Sequence, residues 1–301
     1  MTATLADQLV PTITKPGLYP DVDEAAYHQD PVVGGSLSST GARRLLPPSC
    51  PAKFRYAADH PPEPSDEFDI GHAAHRLVLG VGPELHLIEH EKWNTNVAKK
   101  EVADTREAGA VPLKPQQYAQ VNAMADALKS HKLAMKLLRS GKPEQTLVWQ
   151  DKRTGVMLRA RLDVLPDARP GKRLIVPDYK TAAKADDASM QKAIAEYGYH
   201  IQGHWYTDGV TELGLAPDEV WFVLVVQEKT PPYLVNVVSP TESSMFIGGE
   251  WAQHAIDIYK QCTETGIWPG YSQEITHLEL PIWTERQFDA ARESGLFEGA
   301  A

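Results

Sequence analysis

Cysteine is scarce in this 301-residue sequence: Cys50 and Cys262 are the only two, and neither lies in a CxxC pattern. They provide no disulfide framework, and a four-cysteine zinc or iron–sulfur site is excluded within one chain. The sequence also shows no charged-then-apolar leader, and no apolar run approaches about 18 residues. We therefore expect a soluble, cytoplasmic protein that does not span a membrane.

Basic residues are also fewer than acidic ones. The sequence has 30 lysines and arginines and 40 aspartates and glutamates, which gives a formal charge of −10. A protein that coats nucleic acid is usually basic, so this balance counts against such a role. It does not exclude an enzyme that grips nucleic acid in a local basic groove, with metal ions supplying part of the positive charge. The GxxxxGKT and GxGxxG motifs are absent from any strand–loop–helix context, so nucleotide-driven and dinucleotide chemistry find no support.

The order of the predicted elements indicates a mixed α/β sheet flanked by helices. Two strands joined by the turn DKRTG form a predicted hairpin, and further strands follow it. Hydrophobic periodicity and capping signals predict helices at about 36–46, 67–79, 115–141, 187–213 and 242–265. We predict an N-terminal arm over residues 1–35, a single domain with a helical N-terminal part over 36–285, and a tail over 286–301.

The strand VMLRARLDV carries its polar side chains on one face. Alternation places the apolar residues from Val156 to Val164 on one side, and Arg159, Arg161 and Asp163 on the other. For an isolated strand this pattern is typical of a solvated outer face at the edge of a sheet. A neighbouring strand with polar residues on the same side would change that interpretation.

The next strand, RLIVPDYK, ends in a carboxylate and an ammonium on one side, because Asp178 and Lys180 are two residues apart. If the two strands are neighbours, Asp163, Asp178 and Lys180 come within reach of a single point. Two converging carboxylates repel, and burying them needs a cation such as Mg²⁺, which takes hard oxygen ligands. A lysine there can orient or deprotonate an attacking water, the chemistry of metal-assisted phosphodiester hydrolysis. Taken alone, the pair is equally consistent with a surface salt bridge.

Five short motifs, in order, resemble those of the PD-(D/E)XK nuclease superfamily. They are GHAAH (Gly71 to His75), GKPEQTLVW with Glu144, RLD with Asp163, PDYKT with Asp178 and Lys180, and QGHWY (Gln202 to Tyr206). The set is most similar to the exodeoxyribonuclease VIII (RecE-like) family of phages and prophages, over roughly residues 17 to 268. The resemblance implies a PD-(D/E)XK nuclease core, with a mixed central sheet flanked by helices, and an N-terminal helical extension.

The resemblance also implies roles for single residues. The implied metal ligands are His75, Asp163, Asp178 and the main-chain carbonyl of Tyr179. The implied catalytic residues are Lys180, Glu144, Gln202 and Tyr206. In that scheme Lys180 is the catalytic lysine, and Glu144 lies near the metal and contacts it directly or through water. Gln202 and Tyr206 support the site or contact the scissile phosphate. The implied cofactor is Mg²⁺ or Mn²⁺.

The implied activity is metal-dependent hydrolysis of DNA, by a 5′-to-3′ double-strand exonuclease acting in phage-type recombination. Its location would be the cytoplasm of a bacterial host cell if the protein is phage-encoded. Family members form rings that DNA threads, so a homo-oligomer is expected, with a phage single-strand annealing protein as partner. A ring can hold a basic channel inside an acidic exterior. The candidates for binding DNA in that channel are Lys92, Lys99, Lys100, Arg159 and Arg161, with Trp93 stacking on a base or wedging at the DNA end.

Several alternatives stay open. The chain is alternatively a structure-specific endonuclease of the same superfamily, or a DNA-binding module that has lost catalysis. A lone helix histidine such as His75 is more often a surface or satisfied core residue than a ligand. Arg159 and Arg161 either grip phosphate or neutralise the acidic cluster. His200 and His204 have the i, i+4 spacing of zinc proteases, but isoleucine stands where that motif needs glutamate, so this function is disfavoured.

Overall fold

The structure is a computed structural model that describes residues 12–60 and 66–297, without the side chains of residues 66–69 and 72. The chain divides into two compact units between Trp268 and Pro269. The first unit contains the sheets and most of the helices, and the described residues of the second contain one helix. Within the described ranges, no helix is long and apolar enough to cross a membrane.

The first part of the chain consists of short strands and helices. Its elements are β1 (Gly17–Tyr19), α1 (Glu24–His28), β2 (Leu37–Ser38), α2 (Ser39–Leu45), α3 (Pro51–Asp59), α4 (Asp66–Leu79), β3 (Leu85–Leu87), α5 (Asn96–Glu107), β4 (Val111–Leu113), α6 (Pro115–Lys129) and α7 (Lys132–Leu138). Longer elements follow. They are β5 (Gly141–Gln150), β6 (Met157–Pro166), β7 (Leu174–Ala182), α8 (Asp187–Glu196), α9 (Tyr199–Glu212), β8 (Val220–Glu228), β9 (Val235–Val238), α10 (Glu242–Thr265) and, in the second unit, α11 (Ile282–Glu293).

The described strands form three sheets. In the first, β5 and β6 are antiparallel neighbours, with β1 antiparallel to β5 on one side and β2 parallel to β6 on the other. In the second, β8 lies between β7, to which it is parallel, and β9, to which it is antiparallel. In the third, β3 and β4 form a parallel pair. The fold is therefore a mixed α/β arrangement with sheets flanked by helices.

The β5–β6 hairpin forms as the sequence predicts, and its side chains alternate as expected. Leu158, Ala160 and Leu162 point into the main hydrophobic core together with Leu147 and Trp149 of β5. A strand that slipped by one residue would turn all of these side chains to the opposite face. Burial of the apolar face therefore fixes the register, and with it the side on which the polar residues of β6 lie.

Two helices predicted as continuous are each broken in two. The predicted helix over 115–141 is α6 and α7, and α7 begins after His131, whose side chain accepts the N–H of Ala134 at 3.1 Å. The predicted helix over 187–213 is α8 and α9, separated by Gly198, whose φ is +65°. That left-handed conformation suits glycine and interrupts a helix. Neither break is marked by proline, so the periodic pattern alone did not reveal them.

The expected single central sheet is divided at the strands that carry the predicted site. No backbone ladder joins β6 and β7 in the described residues, although the two strands lie in contact. Instead, the carboxylate of Asp163 on β6 accepts the N–H of Tyr179 on β7 at 2.6 Å. A side chain thus satisfies a buried backbone donor that a ladder would otherwise satisfy.

The described part of the predicted arm, residues 12–35, packs on the outer face of the hairpin. Ile13 bridges to Val32, and β1 pairs with β5. Both residues of the bridge are buried in a small apolar cluster with Val148 of β5. This segment therefore contributes to the same unit as the hairpin, while residues 1–11 of the predicted arm lie outside the described residues.

The second unit begins at Pro269 and contains α11. The predicted start of the tail, between residues 285 and 286, falls within this helix. The rings of Phe288 and Phe297 lie 5.4 Å apart. Residues 298–301 lie outside the described residues.

Candidate active site

β7 places its side chains on the two sides that strand alternation predicts. Asp178 is completely buried, and its Oδ2 lies 2.6 Å from Nζ of Lys180. Tyr179 points the opposite way into a second apolar cluster, where its hydroxyl donates to Oε1 of Gln227 at 2.7 Å. Because the aspartate is buried, this ion pair is part of the interior rather than a surface salt bridge.

Asp163 and His75 join this pair from β6 and from α4. Oδ2 of Asp163, which accepts the Tyr179 N–H, lies 3.4 Å from Nε2 of His75. The same imidazole nitrogen lies 3.3 Å from the main-chain oxygen of Tyr179, and Nδ1 lies 3.6 Å from Oε1 of Glu144. The structure therefore brings the four implied metal ligands, the lysine and the glutamate into one cluster.

Glu144 has an unusual backbone conformation. Its φ of +53° lies in the left-handed region, which residues other than glycine rarely adopt. Its register position faces Asp163, where the ladder pairing of the hairpin is interrupted. Its Oε2 lies 2.8 Å from Nε of Arg161, while Oε1 faces His75. Backbone conformations of this kind cost about 1–3 kcal/mol and cluster at functional sites, so we regard Glu144 as part of the site.

The charged groups of the cluster shift one another's pKa values. Burial raises the pKa of Asp178 to about 6, against the opposing effect of Lys180 and with the support of Asp163. Burial acts to lower the pKa of His75, but Asp163 and Glu144 outweigh it and raise that pKa to about 9. Burial also disfavours the charged form of Lys180, but Asp178 and Asp163 raise its pKa above the ordinary value. Lys180 and His75 therefore balance the carboxylates with positive charge, and His75 would have to release a proton to bind a metal ion.

α9 supports the aspartate of β7. Nε2 of Gln202 donates to Oδ1 of Asp178 and to the hydroxyl of Tyr206, each at 2.9 Å. The two residues of α9 lie on the same face because they are four apart. Tyr206 is buried, and its ring packs edge-on against Phe222 at 5.9 Å. Gln202 therefore contacts the cluster directly, and Tyr206 acts on it through Gln202.

The two arginines of β6 lie beneath the N-terminal segment. Arg159 is 9% exposed; its Nη1 lies 3.0 Å from Oδ2 of Asp30 and donates to the main-chain oxygen of Ser36 at 2.6 Å. Nη1 of Arg161 lies 3.9 Å from Oε2 of Glu24. Both guanidinium groups are thus matched by carboxylates of the protein itself. Their binding to DNA stays a prediction.

Lys92 and Trp93 lie on the segment between β3 and α5. Lys92 is exposed and Trp93 is half-buried, with Nζ of Lys114 4.6 Å from the centre of the indole ring. The buried indole N–H has no hydrogen-bond partner among the described residues. Contact of this pair with DNA also stays a prediction.

The sequence patterns did not predict some of the residues around the site. Gln227 is buried in an otherwise apolar strand and links the Tyr179 hydroxyl to the main-chain oxygen of Met124, to which it donates at 2.8 Å. Glu24 and Asp30 reach the β6 arginines from a distant part of the sequence. The change from apolar to polar residues at the end of β8 is a signal that identifies the glutamine, whereas no local pattern marks the two carboxylates.

The donor set of the cluster fits a divalent metal ion. Oδ2 of Asp178 is buried and makes no hydrogen bond, although Lys180 is close, so it retains lone pairs for a further partner. With Asp163 and the Tyr179 carbonyl it offers the hard oxygen ligands that Mg²⁺ takes, and His75 adds a nitrogen that suits Mn²⁺. Among the residues the structure describes, no three His, Cys, Asp or Glu side chains already form a metal cage. The positive charge within the cluster comes instead from the lysine and the histidine.

A mixed α/β fold that clusters the buried carboxylates of Asp163 and Asp178 with the half-buried Lys180 is consistent with the class of PDDEXK-like proteins. A family model described as a PDDEXK-like domain of unknown function (DUF3799) matches residues 42–281. The chain therefore belongs to this family. None of the curated proteins matches the sequence significantly.

One solved structure supports the fold. A crystal structure from Eubacterium rectale, described as "Putative exonuclease", aligns with a TM-score of 0.56 at 12% sequence identity, covering 83% of this chain and 92% of that one. A structure of the protein SSO0001 aligns with a TM-score of 0.29 at 14% identity, covering 67% of this chain and 95% of that one. At these identities the first likeness shows the fold alone, and the second is too distant to add to it.

Proposed function

We propose that the protein is a metal-dependent deoxyribonuclease that hydrolyses phosphodiester bonds, and that it is a 5′-to-3′ double-strand exonuclease acting in phage-type recombination. The observation that supports a hydrolase is the cluster of the buried Asp163 and Asp178 with the half-buried Lys180, in a chain of the PDDEXK-like family. The exonuclease class rests on the RecE-like sequence motifs. The name of the E. rectale structure supports the same class.

The cluster divides into residues that hold the metal and residues that act on the substrate. Asp163, Asp178, His75 and the Tyr179 carbonyl would hold Mg²⁺ or Mn²⁺, which supplies Lewis acidity at the phosphate when bound. Lys180 carries three donors on a charged group. In this proposal it would orient an attacking water and stabilise the negative charge that develops on the phosphate oxygens.

Two further side chains keep the cluster in order. Gln202 fixes Oδ1 of Asp178 through its hydrogen bond. Oε1 of Glu144 faces His75, and its other carboxylate oxygen pairs with Arg161. Residues that orient metal ligands in this way typically contribute about 10- to 100-fold to activity or metal affinity.

The proposed substrate is double-stranded DNA, and the proposed assembly is a homo-oligomeric ring that works with a phage single-strand annealing protein. These proposals, and a location in the cytoplasm of a bacterial host, follow from the resemblance to the RecE-like family. A ring with positive charge gathered inside it also accommodates the formal charge of −10.

The test is digestion of a linear, 5′-phosphorylated duplex beside the same DNA as a closed circle, with Mg²⁺, Mn²⁺ or EDTA. Wild type, Lys180→Ala and the exposed control Lys192→Ala are compared. We expect loss of the linear duplex only, with early release of a 5′ label and late release of a 3′ label. EDTA abolishes this digestion, Lys180→Ala slows it by about 100-fold or more, and the control leaves it unchanged.

Three other results would revise the proposal. Cutting of the closed circle would replace the exonuclease with an endonuclease. Binding of DNA without cleavage in either metal would replace it with a DNA-binding module that has lost catalysis. Full activity of Lys180→Ala would remove the lysine from the mechanism.

A further inference from the structure

One basic stretch of the sequence has no role in the proposed site. Between Asp126 and Glu144 the chain contains five lysines and arginines and no acidic residue, in a protein whose formal charge is −10. They are Lys129, Lys132, Lys136, Arg139 and Lys142. Lys129 pairs with Asp126 at 2.8 Å, whereas the other four form no ion pair with any residue that the structure describes.

Three of these cations lie on one face of α7 and at its C-terminal end. Lys132, Lys136 and Arg139 follow the i, i+4, i+7 spacing of one helix face, and all three are exposed. At 1.5 Å per residue they extend over about 10 Å of the helix axis. We call these three residues the α7 cationic face.

The opposite face of α7 packs directly behind the proposed site. Leu137 and Leu138 are buried in the apolar cluster that contains Tyr179 and Ala74. Those two residues adjoin the site's aspartate on β7 and its histidine on α4. The helix is therefore anchored on the same two elements that position the metal ligands.

The C-terminal end of the cationic stretch lies close to the elements that carry the site. Arg139 and Val78 line the same small cavity, and Val78 lies one helical turn beyond His75 on α4. Lys142 is exposed at the beginning of β5, two residues before Glu144. The basic residues thus continue along the chain from α7 to the strand that carries the site's glutamate.

We infer that the α7 cationic face and Lys142 bind the phosphates of duplex DNA on its way to the site, an inference that rests on the proposed nuclease function. Phosphates follow one another along each strand of the duplex at about 3.4 Å of axial rise, so the face spans about three of them. Lysine and arginine contacts to phosphate carry no sequence information. The substrate class is therefore duplex DNA of any sequence. An unpaired line of cations beside a phosphodiester site suits this polyanion better than a compact ligand, which would need a cavity.

The experiment compares two triple variants with the wild type. One is Lys132→Gln, Lys136→Gln, Arg139→Gln, and the control is Lys15→Gln, Lys192→Gln, Lys229→Gln, which removes three exposed lysines elsewhere. Binding of a fluorescent duplex is measured by anisotropy in EDTA over a range of salt concentrations, so that cleavage does not intervene. The same proteins are then assayed for digestion with metal present.

For the α7 variant we expect the affinity at 0.15 M salt to fall by about tenfold or more. We also expect the slope of log K against log salt to fall by about 2 to 3, because each lost phosphate contact removes about 0.9 from it. In digestion, KM rises and kcat is unchanged. The control keeps the wild-type slope. Thermal midpoints identify a variant that fails to fold, and the single glutamine variants, each expected to lower the slope by about 1, then replace the triple one.

The outcomes separate this inference from the proposed function. If the α7 variant binds duplex with the wild-type affinity and slope, and both the variant and the wild type digest it, the inference is wrong. The proposed nuclease function is then retained. If the wild type binds duplex through the α7 cationic face but cleaves nothing, the nuclease is wrong and the inference stands. Binding of poly-glutamate but not of DNA through this face would overturn the inference in favour of an acidic protein partner. No binding of duplex by the wild type would overturn both.

Discussion

The β6 arginines, Arg159 and Arg161, and the α7 cationic face carry the same charge around the same cluster, but their surroundings differ. The arginines lie beneath the N-terminal segment and are matched by Asp30, Glu24 and Glu144. The α7 cations are exposed and form no ion pair within the described ranges. A cation near the proposed nuclease site is therefore available to a phosphate only where the protein has not already neutralised it.

This difference has an energetic basis. A buried guanidinium needs a carboxylate or a hydrogen-bonding partner, and separating such a pair leaves a charge without compensation. A phosphate that took the place of Asp30 beside Arg159 would have to offset that loss first. On α7 the cations are already in water, so a phosphate displaces only small counterions.

The first prediction concerns the stability of the two regions. We expect Arg159→Met to lower the free energy of unfolding by about 2–4 kcal/mol, because breaking a buried ion pair costs about 3–5 kcal/mol and Asp30 is partly exposed. Lys136→Met also replaces a cation with methionine, at an exposed position, and we expect no measurable effect on stability. Urea denaturation of both variants measures the difference.

The same two variants separate structure from binding. Lys136→Met lowers the salt slope of duplex binding by about 1, whereas Arg159→Met leaves that slope unchanged wherever the protein is folded. A fully stable Arg159→Met variant with weakened DNA binding would reverse the comparison and make the β6 arginines the phosphate contacts.

The sequence predicted the centre of the site more completely than its surroundings. Placing Asp178 and Lys180 on one side of β7, with Tyr179 on the other, depends only on strand geometry, and the structure agrees. The burial of Arg159 depends on a segment that meets β6 only through tertiary packing, with Asp30 as the partner. Alternation gives the face on which a side chain lies but not what covers that face, so phosphate binding and neutralisation stayed equally open.

Glu144 shows a second limit of sequence reasoning. The glutamate follows a Gly-Lys-Pro turn, where carboxylates are usually solvated, and only the family motif marked it. Its φ of +53° occurs where the pairing of β5 and β6 is interrupted, and its partners His75 and Arg161 come from α4 and β6. No local pattern encodes this arrangement. The sequence did not predict the interruptions of the helices at His131 and Gly198 for a similar reason. Capping and left-handed turns are set by single residues within a continuous apolar pattern.

The second prediction tests whether Arg161 positions Glu144 or binds substrate. We expect Arg161→Gln to lower kcat by about 10- to 100-fold with little change in KM, because its Nε lies 2.8 Å from the glutamate that faces His75. Glu24→Gln is the matched control. It removes the more distant carboxylate, 3.9 Å from the same arginine, and we expect less than a threefold effect. Steady-state digestion of linear duplex measures both constants.

A rise in KM with an unchanged kcat for Arg161→Gln would assign the arginine to phosphate binding. It would then belong functionally with the α7 cationic face. Equal losses of kcat in Arg161→Gln and Glu24→Gln would point to the N-terminal segment, rather than to Glu144, as the group that the arginine positions.

The third and smallest prediction concerns the support from α9. We expect Gln202→Ala to lower kcat by about tenfold, because Oδ1 of Asp178 loses the donor that fixes its orientation. Tyr206→Phe removes only the hydroxyl that Gln202 also contacts, so its effect on kcat should be about two- to threefold. Neither change should alter the salt slope of duplex binding, because neither side chain belongs to the α7 cationic face. An effect of Tyr206→Phe as large as that of Gln202→Ala would mean that the hydroxyl acts on the substrate itself rather than through Gln202.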